Sequence, residues 1–191
     1  MLRIISFEGI DGAGKTTVAS LVYEKLKNLN KKVILTKEPY SDEIIKLIEE
    51  IGWKDPVALT LLFAADRAYH LHQLSLQNPD LVLMDRYIYS SIAYQSALGL
   101  DEEWIRSVNS KFPKPVLTIL LDISPEKAMS RIQKSDKFNF REKIESLKIV
   151  RQKYLELAKR EENIIVINAE QPLEKVVEKV YSIIYSYLTN F

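Results

Sequence analysis

Eight consecutive residues carry the most explicit chemistry in the chain. Gly9-Ile10-Asp11-Gly12-Ala13-Gly14-Lys15-Thr16 fits the pattern G-x-x-x-x-G-K-[ST]. Glycines at 9, 12 and 14 let the backbone wrap closely round phosphate oxygens, and the amides through Ala13, with the helix start that follows, face the negative charge. Lys15 is placed to reach the β- and γ-phosphates of a nucleotide, and the Thr16 hydroxyl is placed to ligate Mg²⁺. A plain glycine turn with an exposed lysine is the bland alternative. The motif opposes it by falling between a β-branched run, Ile4 to Phe7, and a helical pattern that opens at Lys15.

A second group of residues could serve a second ligand. The apolar run Leu81 to Met84 ends in Asp85, where an acid at the carboxyl end of a buried strand can reach the metal shell beside the glycine loop. Asp85-Arg86-Tyr87 then sets an acid, a bidentate phosphate donor and an aromatic together. Phe63 and Arg67 are four apart in a helical stretch, so one ring and one hydrogen-bonding fork share a face. Asp11 lies within the loop, where an acceptor would meet the γ-phosphate. Each has an ordinary explanation: Arg86 paired with a surface acid, Phe63 as core beside Leu59 and Leu62, Arg67 bonded to a neighbouring carboxylate, Asp85 as a cap. Asp122 also ends a strand, and a capping or turn role before Ser124-Pro125 is expected there.

These residues need a scaffold. Five short apolar runs, Ile4 to Phe7, Val33 to Thr36, Leu81 to Met84, Val116 to Leu121 and Ile164 to Ile167, alternate with amphipathic stretches. That alternation predicts an α/β fold: a five-stranded, mainly parallel sheet flanked by helices on both faces. Helices are expected near 15–29, 42–51, 56–77, 90–98, 102–110, 125–133, 142–161 and 172–189. Ser124-Pro125-Glu126 reads as an N-cap, a first-turn proline and a first-turn acid. No repeat or linker divides the 191 residues, so a single domain, 1–191, is expected. The polar stretch 133–141 is the candidate mobile element.

Composition narrows the function classes. Lys and Arg number 27 against 26 Asp and Glu, a net charge of +1, so no global field favours nucleic acid or anionic lipid. Zero Cys removes disulfides, thiolate catalysis and cysteine-based zinc sites. His70 and His72 are too few for a histidine-rich metal cluster. Glu8 and Asp11 interrupt the amino terminus before any signal-peptide core, and no run approaches the roughly 20 apolar residues of a membrane span. A cytoplasmic protein is expected. A GTPase would carry an N-K-x-D segment, whereas Asn30-Lys31 is followed here by Lys32-Val33.

The ordered motifs together resemble the thymidylate kinase family, P-loop kinases of nucleoside monophosphates. The likeness rests on Phe7 to Thr17, Thr36-Lys37-Glu38-Pro39, Leu62-Phe63-Ala64-Ala65-Asp66-Arg67, Asp85 to Gln95 and Leu121 to Glu126. It implies transfer of the γ-phosphate of ATP, with Mg²⁺, to dTMP, giving dTDP and ADP for dTTP biosynthesis. It further implies that Phe63 stacks on thymine, Arg67 bonds the base edge, Arg86 holds the acceptor phosphate and Asp11 the sugar 3′-hydroxyl. Glu38, Ser90, Ser91 and Gln95 would lie on the acceptor side, with Tyr94 crowding a 2′-hydroxyl. Thr17 and Arg131 would join the donor side, and a lid over about 133–141 would close on ATP.

Where some members place an arginine within the P-loop, this chain has Ala13. The catalytic cation would then come from Arg131, Lys134, Lys137 or Arg141. Two departures stand out: Thr36-Lys37-Glu38-Pro39-Tyr40-Ser41 replaces Thr-Arg-Glu-Pro-Gly-Gly, and Asp136-Lys137-Phe138-Asn139 replaces Asp-Arg-x-Glu. Lysine is not a bidentate fork. The resemblance also implies a homodimer, for which the apolar positions of Pro56 to Ala68 offer a face. Two alternatives stay open from the residues alone: a kinase for another nucleotide or deoxynucleoside, and a P-loop switch module that docks a partner.

Overall fold

The computed structural model describes residues 2–27, 31–132 and 144–189. Among these residues five strands, β1 (Ile4–Glu8), β2 (Val33–Lys37), β3 (Leu81–Asp85), β4 (Leu117–Asp122) and β5 (Ile164–Asn168), form one sheet in the order β2-β3-β1-β4-β5. Every pairing is parallel, so the expected mainly parallel sheet is wholly parallel. β1 and β3 are buried along their whole length, which accounts for their unbroken apolar runs. Inside this apolar interior Ser6 and Thr118 satisfy one another across β1 and β4 at 2.8 Å.

Among the described residues, eight helices flank the strands: α1 (Lys15–Leu26), α2 (Asp42–Ile51), α3 (Pro56–Gln77), α4 (Ile88–Ala97), α5 (Glu102–Asn109), α6 (Pro125–Arg131), α7 (Ile144–Arg160) and α8 (Leu173–Thr189). α1 packs against α8, and α4 against α7 and α5. A short 3-10 turn, Gly52–Lys54, between α2 and α3 was not foreseen, because no apolar period marks three residues. α2, α3 and α5 start where Ser41, Asp55 and Asp101 accept the N–H of Ile44, Ala58 and Trp104.

The start of α6 differs from expectation. Ser124 holds the extended N-cap conformation but makes no side-chain cap bond. Its N–H instead reaches Glu170 at 2.9 Å, and Lys127 bonds the same carboxylate at 2.6 Å. The Lys127 bond, with the Ser124 N–H, pulls the Glu170 pKa down to about 2. Asp122 likewise does no capping with its side chain: both carboxylate oxygens take hydrogen bonds from Arg151 of α7, at 2.6 and 2.9 Å.

The order places a switch point at β1, whose neighbours β3 and β4 lie on either side of it. Chain leaving the carboxyl end of β1 therefore enters a crevice, which is where open α/β sheets bind ligands. Phe7 is in register with Asp85, and Asp85 with Lys37, so β1, β2 and β3 end at one edge.

Candidate active site

At the mouth of β1 the loop from Gly9 turns into α1 through three positive φ angles, 140° at Gly9, 81° at Gly12 and 92° at Gly14. Two of these glycines are also required by space. A Cβ at Gly9 would lie 2.5 Å from the Leu121 carbonyl oxygen, and one at Gly12 would collide with the carbonyl of Ala128. Lys15 curls back over the loop, donating to the carbonyls of Gly9 at 3.0 Å and Ile10 at 2.9 Å. Burial, and then the charge of Arg86, lower its pKa to about 8. The lysine is thus held inside the cradle rather than extended into solvent.

The Thr16 hydroxyl donates to Asp85 Oδ2 at 2.5 Å, joining the first turn of α1 to the end of β3. Asp85 Oδ1 is buried and has no hydrogen-bond partner. One hydroxyl and one half-used carboxylate suit Mg²⁺, which takes few protein ligands and completes its shell with water and phosphate oxygens. No group of three His, Cys, Asp or Glu that could hold a metal occurs among the described residues. Outside the loop, Gly12, Ala13, Gly14, Thr17 and Arg131 line a second hollow with Gln171 and Leu173. Arg131 is fixed there by bonds of 3.2 and 3.3 Å to the Ala169 carbonyl. Gln171 and Leu173 carry no motif, so only the return of the chain after β5 reveals them.

A cavity opens on the other side of the loop. Glu38, Phe63, Arg67, Arg86, Ser90, Ser91, Tyr94 and Gln95 all line it, together with Pro39 and Tyr87. Phe63 is half-buried, stands outside the main hydrophobic core cluster and lines the cavity. Gln95 is buried, and its Oε1 has no partner. Arg86 adopts φ 68°, a left-handed conformation rare for a side-chain-bearing residue. That turn brings its guanidinium over the Tyr94 ring, 5.2 Å from the centroid, and into an ion pair with Asp11. Asp11 and Arg86 thus meet where the donor loop and the cavity adjoin.

Arg67 belongs to a buried network. Its Nε donates to Glu38 Oε2 at 2.8 Å and Nη2 to Ser91 Oγ at 3.2 Å, while Nη1 donates to Asn109 Oδ1. Behind Glu38, His70 lies with Nδ1 3.4 Å from Oε1 and Nε2 2.8 Å from the Thr36 hydroxyl. The Tyr40 ring stacks on that imidazole at 4.2 Å and 9°. Arg67 therefore both lines the cavity and bonds a neighbouring carboxylate. Sequence reasoning gave no site role to Asn109, to His70, which lies one helical turn beyond Arg67 on α3, or to Thr36, which entered only as part of a motif. Lys134, Lys137 and Arg141, with the expected lid 133–141, lie outside the described residues.

Comparison with known proteins agrees with this geometry. The family model described as thymidylate kinase matches residues 7–180. A probable thymidylate kinase of Sulfolobus acidocaldarius is 62% identical over 192 residues, covering 98% of this chain and 99% of the relative. Probable thymidylate kinase 1 of Saccharolobus solfataricus is 56% identical, covering 98% and 100%. A probable thymidylate kinase of Archaeoglobus fulgidus is 43% identical over 97% and 96%. With the glycine cradle, the adjoining cavity and this match over most of its length, the chain belongs to the thymidylate kinase family.

Proposed function

We propose that the protein transfers the γ-phosphoryl group of ATP to dTMP, producing ADP and dTDP. The observation that carries this reading is the single cavity in which Phe63, Arg67, Arg86 and Tyr94 converge beside the glycine loop. Phe63 would stack on the base, Arg67 with Gln95 would meet its polar edge, and Arg86 would take the acceptor phosphate. Tyr94 would pack against the sugar and favour deoxyribose. Asp11 now neutralises Arg86. An acceptor phosphate would compete for that guanidinium and leave Asp11 for the sugar hydroxyl.

The acceptor is already an oxyanion near neutral pH, so little base catalysis is needed. The chain must instead align two anions, offset their repulsion and exclude water. Lys15 and the loop amides would hold the donor phosphates, Arg86 the acceptor, and Arg131 the nucleotide end beyond the loop. Thr16 and Asp85 would hold Mg²⁺, which when bound offsets phosphate charge. Ala13 supplies no cation within the loop, so the further cation would come from Arg131, Lys134, Lys137 or Arg141. A trans arginine in related P-loop enzymes is worth about 10³ to 10⁵ in rate, and a lid cation is expected to matter on that order.

We further propose a homodimer through α3 and a cytoplasmic location. Val57, Leu61, Tyr69 and Leu76 are exposed on the face of α3 opposite Phe63 and Arg67, with Leu76 69% exposed. Incubation of the protein with ATP, Mg²⁺ and in turn dTMP, dUMP, dGMP, CMP or AMP tests the activity. Diphosphate is expected chiefly from dTMP, and ATP hydrolysis without diphosphate from any acceptor would overturn the assignment.

A further inference from the structure

Beneath the cavity lies a polar cluster that the assigned roles leave unused. Glu8, the last residue of β1, is fully buried. Its Oε1 accepts the Tyr87 N–H at 2.9 Å. Its Oε2 lies 2.6 Å from Ser90 Oγ and 3.0 Å from the Tyr154 hydroxyl, and those two hydroxyls are 2.8 Å apart. Three oxygens thus form a closed triangle with every side at hydrogen-bond distance. Three sides need three hydrogens, and the two hydroxyls supply one each. An ionised carboxylate would leave one side as a bare contact between oxygen lone pairs. A proton on Oε2 supplies the missing hydrogen, and the bonds then run head to tail round the ring.

The surroundings agree. Burial is the largest influence on Glu8 and raises its pKa from 4.5 to about 7 against the bonds from Ser90 and Tyr154 and the charges of Arg86 and Lys15. Both cations are engaged elsewhere: Arg86 of the β3–α4 connection pairs with Asp11 of the loop, and Lys15 of α1 bonds the Gly9 and Ile10 carbonyls. Among the titratable groups beside the cluster, Tyr154 on α7 bonds Glu8, Tyr94 on α4 meets Tyr154, and Asp11 of the loop and Asp85 at the end of β3 act with Glu8 on Lys15. Each corner of the triangle supports a wall of the acceptor cavity. Tyr87 and Ser90 line it directly, and Tyr154 meets Tyr94 edge-on, with centroids 6.3 Å apart.

We propose that Glu8 is a positioning residue that works in its protonated form, its proton closing the Glu8–Ser90–Tyr154 ring so that the acceptor cavity keeps its shape and carries no extra negative charge. This rests on the cavity being the dTMP site. Loss of the proton places an anion behind the spot where Arg86 would meet the acceptor phosphate, so acceptor binding weakens as Glu8 ionises. By reciprocity, a bound acceptor dianion favours proton uptake by Glu8.

Glu8→Gln is the neutral mimic: its carbonyl still accepts from Tyr87 and its amide donates into the ring. The ratio of the dTMP KM of wild type to that of Glu8→Gln cancels titration of the substrate. It should be near one below the Glu8 transition and rise about tenfold above it, one pKa unit of coupling. An infrared difference spectrum of wild type minus Glu8→Gln should show a protonated-carboxyl C=O band that disappears as pH rises. Tyr154→Phe, which keeps the ring carbons, should shift that band by removing one partner, and serves if Glu8→Gln does not fold. A flat KM ratio in an enzyme that phosphorylates dTMP would sink the positioning role, and absence of the band would sink the proton. If dTMP is no substrate, the infrared arm still decides the proton, and the failure belongs to the substrate assignment.

Discussion

Lys15, Arg67 and Phe63 show how differently three site residues are held. Lys15 bonds two carbonyls of its own loop and, among the described residues, no distant element. Lys15→Ala is expected to abolish phosphoryl transfer while the circular dichroism spectrum and urea midpoint stay close to wild type. Arg67 is 2% exposed and joined to the buried carboxylate of Glu38. Arg67→Ala should raise the KM for dTMP far more than that for ATP, and also cost about 3 to 5 kcal/mol of stability by removing the guanidinium paired with the buried Glu38 carboxylate. Phe63 is half-buried and outside the core, so Phe63→Ala should raise the dTMP KM by about tenfold, within the 1 to 3 kcal/mol of base stacking, with little loss of stability. Urea melts beside steady-state kinetics separate the two variants.

Glu8 adds a pH dependence of stability at the same scale. Its pKa is about 7 folded against 4.5 ordinarily, so between those values the folded chain keeps a proton that the unfolded chain has released. The unfolded state binds fewer protons there, and stability falls as pH rises through the window, by about 3 kcal/mol in order of magnitude. Urea unfolding of wild type and Glu8→Gln at about pH 5 and pH 8 checks the sign, with the wild type expected to lose more.

At the scale of elements, the site depends on how the glycine loop and α6 approach one another. Gly12 is the contact point: a methyl group there would meet the Ala128 backbone of α6, and its φ of 81° disfavours any side chain. Gly12→Ala should displace the loop from α6 and lower ATP affinity by about tenfold or more, of the order of the roughly 1 to 2 kcal/mol of left-handed strain, while dTMP binding measured by calorimetry changes little. Arg86 illustrates the same dependence. Its left-handed turn joins β3 to α4, and the Tyr87 N–H that follows is secured by Glu8 from β1.

Across the whole molecule, α3 separates two surfaces. Phe63, Arg67 and His70 face the cavity and its supporting network, while Val57, Leu61 and Tyr69 face outward. Leu61→Glu should halve the mass measured by light scattering if that outer face joins two copies, and leave it unchanged if the face is solvated. No helix among the described residues is long and apolar enough to cross a membrane.

Sequence alone determined the parts whose physics is local. The glycine loop, the strand and helix alternation, and the shared face of Phe63 and Arg67 follow from backbone freedom and from periods of two and 3.6 residues, all legible over a short window. Wider assignments at Ser90, Tyr94 and Gln95 came through resemblance to a family. Tertiary structure alone decided which partners meet across the fold: Asp11 with Arg86, Arg67 with Asn109, Asp122 with Arg151, and Glu170 at the start of α6. Tyr154 stands 146 residues from Glu8 and closes the buried ring with it. Nothing in either neighbourhood encodes that contact, because it exists only once the packing of α7 on α4 has excluded water from around the carboxyl group.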